Sequence, residues 1–129
     1  MSTPEPSSLT DSYSLVKAMY KNAKFKPEGT NVHLVANKVL SEAEGKAVYA
    51  KISSVVEKFL GGKLDYMGMV PMDTALERAV RNQKVVSLDS PTAKSTKAFE
   101  ALANNLISAD EKGHFKWGIS QIFSSLLKG

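Results

Sequence analysis

The chain has 129 residues, 43% of them hydrophobic, which gives room for one α/β domain around a single core and too little for two ordinary domains. Its 17 Lys and Arg against 13 Asp and Glu leave a net charge of +4 dispersed along the sequence, a mild excess that gives no ground for nucleic-acid binding. The absence of cysteine excludes disulfides, zinc–thiolate sites and thiol nucleophiles, and no apolar run approaches the roughly 18–20 residues of a spanning helix. Met1–Ser8 lacks the apolar core of a signal peptide, so the expectation is a soluble or peripheral protein.

The opening Thr3-Pro4-Glu5-Pro6 reads as an extended turn leading into a helix. Ser8 and Asp11 have the spacing of a capping box, and Leu9, Tyr13, Val16 and Tyr20 fall on one helical face. Lys24–Thr30, with Pro27 and Gly29, ends that element. Val32–Ala36 is a nearly continuous apolar run, which predicts a parallel strand covered on both faces. Ser41 and Glu44 form a capping box for a helix striped by Val48, Ile52, Val55 and Phe59 and closed by Gly61-Gly62. Tyr66–Val70 supplies a second apolar run closed by Pro71, and Thr74 to Glu77 again has capping-box spacing before a helix reaching about Asn82. Val85–Leu88 reads as a short extended piece. Ser90-Pro91 predicts the N-cap and first turn of a helix carrying Phe99, Leu102 and Leu106. Gly113–Leu127 predicts a last helix.

Strand and helix alternate, so the expected fold is α/β: a partial doubly wound parallel sheet of two to three strands flanked by about five helices, followed by a C-terminal amphipathic helix. So narrow a sheet has open edges and too little width for its helices, which points to missing strands.

In open α/β sheets, ligands sit beyond the C-terminal ends of the strands. The residues in those places are Asn37-Lys38 and Pro71-Met72-Asp73. An Asn carboxamide offers donors and an acceptor that match a purine edge, and a neighbouring proline ring can pack on the base face. The alternative is that Asn37 and Asp73 cap the following helices and Pro71 ends a strand. Phosphate binding needs a glycine-rich loop with Lys and Ser or Thr after a strand, and the sequence holds none. Gly61-Gly62-Lys63-Leu64 follows a helix and has Leu where a magnesium-binding hydroxyl belongs. No catalytic residue and no metal ligand is assigned, and His33 and His114 have no partners at ligand spacing.

Thr3-Pro4-Glu5-Pro6-Ser7-Ser8-Leu9-Thr10-Asp11-Ser12-Tyr13, Val35-Ala36-Asn37-Lys38-Val39 and Leu64–Asp73 with Met69-Val70-Pro71-Met72-Asp73 follow one another in a telling order. Together with Arg78–Lys84 and Ser90–Leu106, they resemble the FlhG/FleN branch of the MinD/ParA-type P-loop ATPases, regulators of flagellar number. The resemblance covers roughly residues 3–107 and lacks the family's phosphate-binding half. It implies that 1–107 is the C-terminal half of a MinD-like P-loop domain, with Asn37, Lys38, Pro71 and Asp73 around the adenine and Glu5 near a nucleotide-dependent dimer face. It also implies ATP and Mg in the intact protein, none held tightly by this chain, and a site-determining role in flagellum biogenesis. The chain alone is expected to be inactive as an ATPase, its start lying beyond the catalytic half.

Residues 108–129 carry Phe115, Ile119, Ile122, Phe123, Leu126 and Leu127 on one helical face, flanked by Lys116 and Lys128, a pattern suited to an interfacial membrane helix or to folding back on the domain. Members of the resembled family end in a reversible membrane-targeting helix. The implied partners are therefore a second copy of the intact protein, the inner face of the cell membrane from the cytoplasmic side, and flagellar assembly proteins, with no nucleic acid. A free-standing adaptor and a fragment of a cell-division or chromosome-partitioning ATPase are the competing readings.

Overall fold

The computed structural model of the chain describes residues 1–29 and 31–110. The elements run α1 (Pro6–Lys21), a 3-10 turn (Pro27–Gly29), β1 (Val32–Val39), α2 (Glu42–Leu60), β2 (Leu64–Pro71), α3 (Thr74–Arg81), α4 (Val86–Asp89) and α5 (Lys94–Asp110). β1 and β2 pair in parallel, from Val32 opposite Leu64 to Val39 opposite Pro71, with α2 as the crossover. The fold is thus the expected α/β arrangement, a parallel sheet flanked by helices, with two strands rather than three among the described residues. The expected amphipathic helix at the C-terminus lies outside the described residues.

β1 is not covered evenly on both faces as its composition predicts. Leu34 and Ala36 are buried, while His33, Val35 and Asn37 between and beyond them are half-buried. Strict alternation would next turn Lys38 into the core. Instead the pairing register slips between Asn37 and Val39, Lys38 takes a positive φ of 54°, and Val39 becomes the fully buried residue. A bulge of this kind removes one residue from the ladder and resets the phase of the strand. It keeps an ammonium group out of the core, where an unpaired charge would cost on the order of several kcal/mol.

α2 lies on the buried face of this pair. Ser41 Oγ accepts from the Glu44 N–H at 3.1 Å, and Glu44 Oε2 accepts from the Leu40 N–H at 3.0 Å, a capping box whose return bond falls one residue early. The helix ends at Gly61, whose φ of 62° suits glycine. Its buried stripe is Gly45, Val48, Ile52 and Val56, not the expected Val55 and Phe59. Phe59 is 64% exposed. A methyl group on Gly45 would stand 2.8 Å from Tyr66 Oη, so the missing Cβ lets the helix approach β2 closely. α1 packs beside α2, with Val16 buried and Leu9, Tyr13 and Tyr20 against the core, the stripe its spacing predicts. Full burial of an aliphatic side chain such as Ile52 or Val56 is worth about 1.5–3 kcal/mol, so this seam supplies much of the stability.

Three helix starts differ from expectation. α1 begins at Pro6, two residues before Ser8, because proline at the first helical position pre-sets φ and has no N–H to satisfy. Ser8 Oγ instead accepts from the Thr3 N–H at 2.9 Å. α3 takes its N-cap from Asp73, the capping role weighed above as the alternative to base contact, and not from Thr74. Val85–Leu88 is not extended; α4 occupies Val86–Asp89, and the Ser90 N–H closes it on Val86 O at 2.8 Å. Ser90 therefore ends one helix instead of starting the next, and α5 begins at Lys94. α5 covers the other face of β2, where Leu102 lies over Gly68 and Asn105 Nδ2 donates to Met67 O at 3.0 Å.

Candidate functional site

The C-terminal ends of the two strands and the segment 2–5 converge at one edge of the sheet. The Ser2 N–H donates to Val35 O at 2.8 Å and Ser2 O accepts from the Asn37 N–H at 2.7 Å, so Ser2 bridges Ala36 in parallel like the last residue of a further strand. Ser2 is 2% exposed, a polar residue placed by backbone pairing that the sequence reading passed over. On the other side of β1, Asn37 lies opposite Val70 and Val39 opposite Pro71, and the Met72 N–H donates to Val39 O at 2.9 Å. Asn37 and Lys38 near the end of β1 thus adjoin the Val70–Pro71 end of β2, and Leu40 and Met72 just beyond the two strands are exposed. Glu5 stands at the start of α1 beyond the Ser2 bridge, exposed, and its side chain makes no cap bond.

Asn37 does not cap α2; Ser41 does. Its Oδ1 accepts from the N–H of its neighbour Lys38 at 2.9 Å. The residue remains half-buried near the C-terminal end of β1, and Lys38 is exposed.

Asp73 has the opposite character. Oδ1 accepts from the Ala75 N–H at 2.9 Å, and Oδ2 accepts from the N–H and the hydroxyl of Ser95 at 2.9 and 2.8 Å. The carboxylate therefore joins the first turns of α3 and α5. Hydrogen bonds from Ser95, then from Ala75, hold its pKa below the ordinary value of 3.8, assisted by the charge of Lys94. Ser95 and Thr96 are fully buried at this junction, and the Thr96 hydroxyl donates to Ser90 O at 2.7 Å. Neither carried any signal in the sequence, because the contact spans 22 residues and depends on where two helices begin.

A concavity of about 520 Å³ runs between α1 and α2, away from the strand ends, and is lined by Leu9, Tyr13, Ile52, Val55 and Phe59 together with Lys17 and Lys51. Among the described residues no group of His, Cys, Asp and Glu is placed to hold a metal ion, and no helix is long and apolar enough to cross a membrane. Phe115, Ile119, Ile122, Phe123, Leu126 and Leu127 lie outside the described residues.

Parallel strands joined by a helical crossover, with their connecting turns converging at the C-terminal edge, define the class: part of a doubly wound α/β protein with its candidate ligand crevice at the strand ends. No protein-family model matches the chain. It is 31% identical over 122 residues to Antiactivator FleN of Pseudomonas aeruginosa, a match covering 92% of this chain and 42% of that protein. It is also 31% identical over 132 residues to Flagellum site-determining protein YlxH of Helicobacter pylori, covering 99% of this chain and 43% of that one. The likeness to these flagellar proteins runs over nearly the whole chain, in line with the FlhG/FleN resemblance of its motifs. It spans less than half the length of the curated relatives it matches, an extent that fits the expected C-terminal part.

Proposed function

We propose that the chain is the base-binding and C-terminal part of an ATPase that sets flagellar number and placement. In the intact protein the phosphates and magnesium are held by a glycine-rich loop on another part of the polypeptide, and Asn37, Lys38 and Pro71 meet the adenine. The observation that supports this reading is that Asn37 and Pro71 both stand near the C-terminal ends of neighbouring parallel strands, in a chain similar to flagellar proteins. Asp73 serves the pocket as a brace, since its oxygens already accept three hydrogen bonds. Glu5, beyond the Ser2 bridge, belongs to the face that meets a second copy when nucleotide is bound. Residues 108–129 attach the intact protein reversibly to the inner face of the cell membrane, within reach of flagellar assembly proteins.

Calorimetry with Mg·ATP tests the division of labour. The 129-residue chain is expected to bind ATP only weakly, because phosphate contacts dominate recognition in proteins of this kind. Micromolar affinity without the loop would contradict the reading. For the membrane part, liposome co-sedimentation of the chain with and without residues 112–129 is expected to separate the two forms. Equal partitioning would remove the membrane from the proposal.

A further inference from the structure

We propose that the groove between α1 and α2 is a second membrane-contact surface, where lysines of both helices meet anionic lipid headgroups and Phe59 enters the apolar layer beneath them. The inference rests on the membrane reading above and adds to it a contact made by the folded part of the chain, apart from residues 108–129. The two helices run the same way, since α1 starts beside the Ser2 bridge at the C-terminal edge of the sheet and α2 is the crossover between parallel strands. Between them lies the concavity of about 520 Å³, with Tyr13 and Val55 in its lining, Lys17 contributed by α1 and Lys51 by α2. No acidic residue is among the described residues that line it. Lys21 in the last turn of α1 and Lys58 in the last turn of α2 add positive charge toward the same end of the pair. Phe59 also lines the groove yet is 64% exposed, with Lys58 Nζ 5.3 Å from the centre of its ring. A phenyl ring left in water forgoes the burial that stabilises other aromatic side chains. Lysines can keep their ammonium groups among headgroups while their stems lie along apolar surface, and an exposed aromatic beside them is the combination that interfacial binding uses.

Charge selects the occupant. The apolar stripe within residues 108–129 is itself flanked by Lys116 and Lys128, so that segment would bring lysine against lysine here. A partner that is both anionic and apolar suits the two places at once, and the lipid surface proposed for residues 108–129 has that chemistry. Besides the lysines, the side chains lining the groove offer only the hydroxyls of Thr10 and Tyr13 to orient a partner. That suffices for a fluid lipid surface and is sparse for a specific protein interface. Each lysine held close to an anionic membrane strengthens binding about five-fold, an attraction that salt screens.

The sequence has no cysteine, so Phe59→Cys gives a single site for an environment-sensitive fluorophore, and Lys97→Cys on α5 gives an exposed control. The full 129-residue chain is titrated with vesicles of phosphatidylcholine, with and without phosphatidylglycerol. The label at position 59 is expected to brighten and shift to the blue on the anionic vesicles, and the label at position 97 to stay unchanged. In the unlabelled chain, Lys17→Gln together with Lys51→Gln is expected to weaken co-sedimentation with those vesicles roughly twenty-fold, and Lys17→Arg with Lys51→Arg to preserve it. A silent label at position 59 on vesicles that carry the chain down would overturn this surface and leave residues 108–129 as the membrane contact. Unchanged binding by the glutamine variant would overturn it too. So would a label that responds to a soluble, glutamate-rich amphipathic helix and not to vesicles, which would assign the groove to a protein partner. If the chain does not sediment with anionic vesicles at all, the membrane reading itself falls and this surface with it.

Discussion

The two strand-to-helix turns of this molecule are built on the same plan and put it to opposite use. At β1 the strand end and its turn run Asn37 to Ser41; at β2 they run Pro71 to Asp73. Each leaves a parallel strand and enters a capped helix at the same edge of the sheet. In the first, Ser41 does the capping, so the carboxamide of Asn37 is spared and only its oxygen is engaged, by its neighbour's N–H. In the second, Asp73 does the capping itself and also receives α5, so neither of its oxygens is idle. A polar residue at a strand end is available to a ligand only when another residue has relieved it of the backbone N–H groups that every helix start exposes. By that criterion the first turn is the recognising one and the second holds the frame.

The largest effect expected from breaking this contrast is at Asp73. Asp73→Ala removes an N-cap and leaves the Ser95 N–H and hydroxyl unpaired, and is expected to cost about 2–3 kcal/mol in urea unfolding followed by circular dichroism. Asn37→Ala, by comparison, is expected to cost less than about 1 kcal/mol, the value of one modest hydrogen bond. Similar losses from the two variants would erase the distinction between the turns.

Acid sharpens the same point. The folded-state pKa of Asp73 lies below its ordinary value of 3.8, so the unfolded chain binds its proton first as pH falls. Its contribution is complete above the ordinary value and is lost as pH drops below 3.8 through the lowered folded value. Asp73→Asn is expected to be less stable at neutral pH and to flatten this acid limb. A wild-type limb unchanged by the substitution would show that the Ser95 and Ala75 bonds do not favour the charged form.

What the sequence discloses of this arrangement follows from the range of each interaction. The Ser41–Glu44 box, the Gly61 stop and the α1 stripe involve residues within a turn or two of one another and are readable directly. The choice between Val55 with Phe59 and Val56 is not, because after Val48 and Ile52 both continuations keep helical spacing and only the angle of approach to the sheet decides. Val85–Leu88 has the composition of a strand, yet it closes into a turn of helix with Val86 alone buried. At the crevice, the placement of Asn37 and Pro71 at strand ends is legible from the two apolar runs. The bulge is not, since nothing in Val35–Val39 marks Lys38 for a positive φ; it arises from the need to seat Val39 where Lys38 would otherwise fall. Asp73 meeting Ser95 is equally hidden, a contact between two helix starts set by the path of the chain through α4.

The middle of the scale belongs to Ser41. If Asn37 is free because Ser41 caps α2, then Ser41→Ala is expected to cost about 1 kcal/mol and to expose the Glu44 N–H to a substitute acceptor. Hydrogen exchange at Glu44 is the measurement: faster exchange is the expected result, and unchanged exchange would mean that another group had taken over the cap.

Lys38→Gly should give the smallest change and the only gain. Glycine adopts a φ of 54° without the Cβ penalty, so the strain at the bulge is relieved; against that, glycine enlarges the conformational freedom of the unfolded chain. The net is expected to be a stabilisation of a few tenths of a kcal/mol up to about 1 kcal/mol, read from the urea midpoint. Lys38→Val separates the two contributions, because a β-branched residue resists positive φ more strongly than lysine while restoring a strand-forming side chain. If the bulge is imposed by the burial of Val39, the introduced valine must carry the strain of the positive φ, and the variant is expected to lose about 1–2 kcal/mol. A gain there would mean that the strand had slipped back into regular alternation with position 38 in the core, and the Asn37 turn would then owe its shape to the charge of lysine.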